Sequence, residues 1–288
     1  MNHSMINALV SMQGLQQKLD VIGHNLSNLN TAGYKRKEAT FHDVLTSVMR
    51  QQETGQLPGR LTPPGFVQGR GAKISQIQTV MEQGSLKETG LPYDLAIEGN
   101  ALFELLVPAV DENGQAVQRS AWTRDGSFAL TVITGDPDNV YLTSKDGYPV
   151  MSEDGEPIRI PAGYKLRIDA DGTVSAYLEA DPEGSAVEAG RLRLVQIVRP
   201  QLLSEWGNNL YMLQAGADPD AAIRPLDWNA ENPDTAGIAV RQGFLEQSNV
   251  DLTSEMTELL TTQRAFQMNA RALASADTLM QLTNNLRG

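Results

Sequence analysis

The stretch DLTSEMTELLTTQRAFQMNARALASADTLMQLTNNL, Asp251 to Leu286, decides the fold, because Leu252, Leu259, Phe266, Leu273 and Met280 recur in it every seven residues. Met256 and Ala270 fill intervening positions. Leu279, Leu282 and Leu286 take over near the end, a drift that a straight helix of 3.6 residues per turn imposes on a seven-residue repeat. A helix with such a seam needs another helix. The opposite end of the chain supplies one: in MINALVSMQGLQQKLDVIGHNLSNL, Met5 to Leu29, the positions Met5, Ala8, Met12, Leu15, Leu19, Ile22, Leu26 and Leu29 follow one another in steps of three and four. At about 1.5 Å per residue the two segments are rods of roughly 35 to 40 Å and roughly 50 Å. Neither buries its stripe alone, so the two ends are expected to pack together as a coiled-coil-like element.

Between them the period changes. Asn30, Thr31 and Gly33 end the first helix in a turn, with Gly33 suited to a positive φ. Phe41, Val44, Leu45 and Val48 then suggest that helix resumes up to about residue 50. Residues 51–71 carry Gly55, Gly59, Gly65, Gly69 and Gly71 with Pro58, Pro63 and Pro64, which rules out continuous helix and reads as an extended connector. From residue 72 to 243 the chain reads as β. Ile74–Val80, Tyr93–Ile97, Ser127–Ile133 and Arg191–Val198 are expected strands. Leu166 and Ile168 before Asp169-Ala170-Asp171-Gly172, with Val174, Ala176 and Leu178 after it, predict a hairpin. Two polar stretches, Asp181–Gly190 and Ala215–Gly237, read as surface loops. Residues 244–288 return to helix, with Asp251 as N-cap and Glu255 complementing the dipole in the first turn. The expected class is α+β, with terminal helices together and a mainly antiparallel β middle.

Composition narrows the function. A formal charge of -12 with no offsetting Lys/Arg block argues against non-specific binding to nucleic acid or an anionic membrane. The chain has no cysteine, which excludes a disulfide framework and thiolate chemistry. No cleavable signal peptide and no membrane-spanning run is expected from the pattern.

The residue types that carry chemistry are dispersed. Asp136/Asp138, Asp169/Asp171 and Glu153/Asp154/Glu156 invite a carboxylate-pair or calcium reading, but Ala180 stands at the twelfth position counted from Asp169, where a calcium loop needs an acid. His3, His24 and His42 share no helix face suited to a metal. Gly69-Arg70-Gly71 lacks the third glycine and the following helix of a dinucleotide site. Neither an enzyme nor a cofactor or metal site is expected. Asn25, Asn28, Asn30 and Gly33 admit two readings, contacts between subunits through side-chain amides or a plain helix end. Gln263, Arg264 and Asn269 likewise are either register devices between subunits or part of a solvated face.

LDVIGHNLSNLNTAGYKR (Leu19–Arg36) resembles the N-terminal signature of the bacterial flagellar basal-body rod and hook protein family. The resemblance continues through GRGAKISQIQTVMEQGSLKETGLPYDLAIEGNALFEL (Gly69–Leu105), TRDGSF (Thr123–Phe128), DGYPV (Asp146–Val150) and WGNNLY (Trp206–Tyr211). It closes with Gly243–Leu286, and within the family it is nearest the distal-rod type. His24 in place of a common Asn, Asn100-Ala101-Leu102-Phe103 and the acidic 215–237 stretch depart from the family pattern. The resemblance implies a structural subunit in the basal body, outside the cytoplasmic membrane. It also implies export through the flagellar type III apparatus with its chaperoning factors, and self-association with other rod and hook proteins into a torque-transmitting tube. The expected assembly interface is Leu15, Leu19, Ile22, Asn25, Leu26, Asn28, Leu29, Asn30, Gly33 and Tyr34 at one end and Leu252, Met256, Leu259, Gln263, Phe266, Asn269, Leu273 and Met280 at the other. A rival reading, a secreted adhesin-like β module on a helical stalk, needs only one terminal helix. A second, an acidic-dyad hydrolase, needs two carboxylates in one cleft.

Overall fold

The computed structural model describes residues 2–43, 47–49, 66–68, 72–110, 116–132, 138–178, 186–214, 216–226, 228 and 237–286. The chain divides into two compact units, one formed by Met1–Ser27, Lys37–Gln78 and Asp251–Gly288, the other by Asn28–Arg36 and Thr79–Val250.

The first unit brings the chain ends together. The N-terminal helix spans Asn2–Ser27 and the C-terminal helix Leu252–Asn285, and they lie against each other in antiparallel fashion. Lys18 pairs with Glu258 at 2.5 Å and Asn25 reaches Glu255 at 3.3 Å. Asp251 caps the second helix as its sequence predicts, accepting from the Thr253 and Ser254 N–H groups at 3.2 and 3.3 Å. The expected second helix after the turn is not formed. Lys37–Asp43 is a strand paired with Ala72–Thr79, and Ser47–Met49 is a strand paired with Phe66–Gln68. Phe41 explains the choice: its ring lies against Gly14 of the N-terminal helix, and Lys18 stands over it at 5.7 Å, so an extended backbone docks it where a new helix would not. Val44, Leu45 and, of the 51–71 connector, residues 51–65 and 69–71 lie outside the described residues.

The second unit is a β structure in which every strand pairing is antiparallel. Its main sheet has six strands in the order Leu203–Gly207, Leu210–Leu213, Ala116–Thr123, Ala101–Val110, Leu194–Ile197, Ile223–Pro225. Ala101–Val110 is buried on both faces. Phe103, Leu105 and Val107 enter the larger core, while Leu102 enters a second cluster with Trp122, Val195 and Tyr211. Phe103 meets Phe128 edge to face, centroids 5.1 Å apart. Two smaller sheets of three strands flank this core, and the predicted hairpin pairs Lys165–Ile168 with Thr173–Tyr177 around Gly172 at φ 77°. The stretches read as loops carry more order than expected. Val187–Arg191 is a strand, and Pro219–Ala222 and Ile223–Pro225 form a helical turn and an edge strand. Residues 181–185 and 229–236 lie outside the described residues.

Candidate assembly surface

The covered face of the C-terminal helix runs Glu255, Leu259, Thr262, Phe266, Asn269, Leu273, Ala276, Met280, steps of four and three throughout. Glu255 and Thr262 are buried, and the others are half-buried. Two residues assigned to this seam by periodicity are exposed in the subunit, Leu252 at 47% and Met256 at 44%. The alternate positions are polar or small, so a count of large apolar residues passes over them. Of the positions expected on the N-terminal seam, none is exposed. Ile22 is buried, and Met5, Ala8, Met12, Leu15, Leu19, Leu26 and Leu29 are all half-buried.

Away from its covered face the C-terminal helix carries further apolar side chains. Met256, Leu260, Met268, Leu279 and Leu282 are all exposed there, interleaved with Gln267 and Arg271, while Leu252, seven residues before Leu259, is exposed at the edge of the covered stripe. Met268 exposes 65% of its surface. On the N-terminal helix Ile6 and Leu9 are similarly open. A helix with apolar side chains outside its covered face is built for more neighbours than one. Gln263, Arg264 and Asn30 are exposed.

Of the polar residues assigned to contacts, Asn25 is inside the subunit. Its amide donates to the Lys37 carbonyl at 2.9 Å and its carbonyl accepts the Lys37 N–H at 3.0 Å, so a single side chain stitches the helix to the strand that follows the turn. Asn28 is half-buried and holds Thr31 at 3.1 Å, Gly33 and Tyr34 are buried, and Asn269 is half-buried on the seam.

The turn itself, in the β unit, is fixed by residues that periodicity does not reveal. Gly33 adopts φ 67°, and a Cβ there would stand 2.5 Å from the Asp125 nitrogen. The Gly33 N–H donates to the Glu246 carbonyl at 2.8 Å. Next to it the buried Glu246 carboxylate receives Lys35 Nζ at 2.7 Å, the Arg124 Nε, and the Gly84 N–H at 2.8 Å. Arg124 gives three more donors to the carbonyls of Ile97, Gly99 and Ala101. Burial, and then the Arg124 charge, pull Lys35 below the ordinary lysine value against the opposing pull of Glu246. Asn249 closes the knot, accepting from the Arg36 N–H at 2.6 Å and donating to Val80 and Glu82. The signal for these residues is the run of motifs rather than periodicity, since Lys35, Arg124 and Glu246 sit in GYKR, TRDGSF and GFLEQSN.

Among the described residues no group of three or more His, Cys, Asp or Glu could hold a metal ion, and no helix is long and apolar enough to cross a membrane. Asp169 and Asp171 serve the hairpin, Asp171 accepting from Thr173 and from Arg191.

The chain thus pairs its two ends as helices, leaves apolar side chains exposed outside that pairing, and carries an antiparallel β unit between the two ends in sequence. The model of the flagella basal body rod protein family matches residues 7–35, and that of the flagellar basal body rod FlgEFG protein C-terminal region matches residues 241–286. The chain is 34% identical over its whole length to the flagellar hook-basal body complex protein FlhP of Bacillus subtilis, all of which is covered. It is 31% identical to the flagellar basal-body rod protein FlgG of Borreliella burgdorferi, covering 100% of this chain and 99% of that protein, and 31% identical to FlgG of Caulobacter vibrioides, covering 97% of each. The chain therefore belongs to the flagellar basal-body rod and hook protein family, a structural component of the flagellar basal body. The adhesin-like alternative finds no support in these relatives.

Proposed function

We propose that the chain is a distal-rod-type, non-enzymatic subunit that self-associates, together with other rod and hook proteins, into the tube that carries torque. In this reading the N-terminal segment to residue 50 and residues 244–288 form a coiled-coil-like inner layer, the 51–71 connector leads outward, and 72–243 form the outer domain. The subunit reaches the growing tip unfolded through the flagellar type III apparatus, with chaperoning factors. The observation that carries the reading is the set of apolar side chains that the C-terminal helix leaves exposed, since the N-terminal helix already covers its seam. The 4-3 spacing of the covered positions supports coiled-coil packing. In the lattice Leu252, Met256, Gln263 and Asn30 meet neighbouring copies, while Leu15, Leu19, Ile22, Leu26, Leu259, Phe266, Leu273 and Met280 serve the pairing within the subunit that presents them.

The test is Leu260→Asp, an exposed position among them. The purified subunit is expected to keep its secondary structure and thermal midpoint, yet to be missing from basal bodies isolated from non-motile cells. Normal incorporation and swimming would remove the reading.

A further inference from the structure

The Lys35–Glu246–Arg124 cluster joins three parts of the β unit that are far apart in sequence. Lys35 to Glu246 spans 211 residues and Arg124 to Glu246 spans 122. All three side chains are at least 95% buried. Several strands of the unit pair with near neighbours in sequence, as Ala101–Val110 does with Ala116–Thr123 and Lys165–Ile168 with Thr173–Tyr177, whereas the strand that carries Glu246, Phe244–Glu246, reaches back to Leu86–Glu88, and Ala239–Gln242 before it reaches back to Leu95–Glu98. Local hairpins close early, whereas a contact across two hundred residues bears the larger loop-closure cost.

Charge adds a second constraint. Without the Glu246 carboxylate, Lys35 and Arg124 are two cations in one buried space, and burying them together is strongly unfavourable. The same segment also brings the main-chain carbonyl of residue 246, which accepts the Gly33 N–H of the turn. The neighbouring contacts arrive with that segment: Gln247 pairs with Ser85 at 2.9 Å, and Asn249 takes Arg36, Val80 and Glu82.

We propose that Glu246 is a closing latch: its carboxylate is the last piece of the β unit to seat, and until it does the 31–36 turn stays open. A chain whose residue 246 has not yet been delivered, on a ribosome or in transit through a channel, keeps its N-terminal turn uncommitted. The latch thereby makes completion of the fold conditional on the far end of the chain.

The experiment uses full-length protein with the native tryptophans Trp122, Trp206 and Trp228, all within the β unit, as reporters of urea unfolding and refolding. Glu246→Gln raises the buried charge of the cluster, and Lys35→Met on the same background restores the original net charge. Glu246→Gln is expected to lower the folded-to-unfolded ratio by at least about 100-fold. Nearly all of it should appear as faster unfolding, with refolding changed by less than about twofold, since a contact made after the transition state leaves the folding rate alone. The double variant should recover at least about tenfold of the loss. Refolding that slows in proportion to the lost stability overturns the latch, as does a double variant no better than the product of the two single effects. If Glu246→Gln does not fold, the double variant is compared with Lys35→Met instead: faster unfolding with unchanged refolding supports the proposal, and slowed refolding overturns it. A double variant that also fails while Lys35→Met folds overturns it.

Discussion

Asn25 and Glu255 are 230 residues apart in sequence and meet side chain to side chain at 3.3 Å, the last turn of one terminal helix against the first turn of the other. Both are buried. The pair sets the register of the helices at their crossing, and Asn25 spends its other bonds on the backbone of Lys37. Asn25→Ala takes the partner from these half-buried backbone groups and is predicted to cost about 1 to 2 kcal/mol. Asn25→Asp should be worse than Asn25→Ala. It keeps an acceptor for the Lys37 N–H but sets a second carboxylate against Glu255 and removes the donor. Urea unfolding of the isolated subunit, followed by helical circular dichroism, ranks the two, and an aspartate variant as stable as wild type would contradict the assigned geometry.

Two glycines separate backbone need from helix propensity. Gly33 sits at φ 67° with the Asp125 backbone where a Cβ would go, so Gly33→Ala is predicted to destabilise the β unit by more than about 2 kcal/mol. Gly23 lies inside the N-terminal helix with no atom within 4 Å of its would-be Cβ. Gly23→Ala should stabilise the isolated subunit by about 0.5 to 1 kcal/mol. Thermal melts of the two variants should therefore move in opposite directions.

Lys35 gives a pH signature. Its folded pKa lies below the ordinary value of 10.5 because burial and the Arg124 charge outweigh Glu246 and the more distant Glu82. A lysine with a depressed folded value binds fewer protons in the folded state, so stability rises with pH between that folded value and 10.5, and is flat below it. The difference in unfolding free energy between wild type and Lys35→Met, in which other titrating groups cancel, should grow in wild type's favour across that alkaline window. A difference independent of pH would show that Lys35 titrates alike in both states.

The terminal helices were legible in the sequence because their seams repeat, and Asp251 because capping is local chemistry. The register of the C-terminal seam was only half legible. Glu255, Thr262, Asn269 and Ala276 occupy its alternate positions, and a search for large apolar side chains gives Met256 the place that Glu255 holds. Glu255 looked like a surface residue answering the helix dipole, and its burial follows from a partner 230 residues away. The strand at Lys37–Asp43 has the same kind of cause, since Phe41 docks on Gly14 and tertiary contact overrides the weak local pattern. Ala101–Val110 carries no period-two signal because both its faces are buried, and its one acid, Glu104, is held by Arg193 at 3.1 Å. The Lys35–Glu246–Arg124 knot has no periodic signature, and only the motifs GYKR, TRDGSF and GFLEQSN mark where its members lie.

Phe266 and Met268 are two residues apart on one helix and distinguish its two faces. Phe266 is on the covered seam, whereas Met268 is 65% exposed. Placing a carboxylate at 266 puts a charge between the helices and removes an aromatic contact, a change worth about 3 to 5 kcal/mol in a packed site. Phe266→Asp is therefore predicted to unpair the termini in the free subunit, seen as a lower helical signal and faster proteolysis outside the β unit. Met268→Asp adds its charge to an already solvated position and should leave the free subunit within about 0.5 kcal/mol of wild type. In the cell both variants should fail to enter the rod, for different reasons: the first for want of a formed helix pair, the second because a neighbouring copy cannot bury the charged face. If Met268→Asp assembles normally, that face is not an interface. If it unfolds the isolated subunit instead, its exposure in the monomer is wrong.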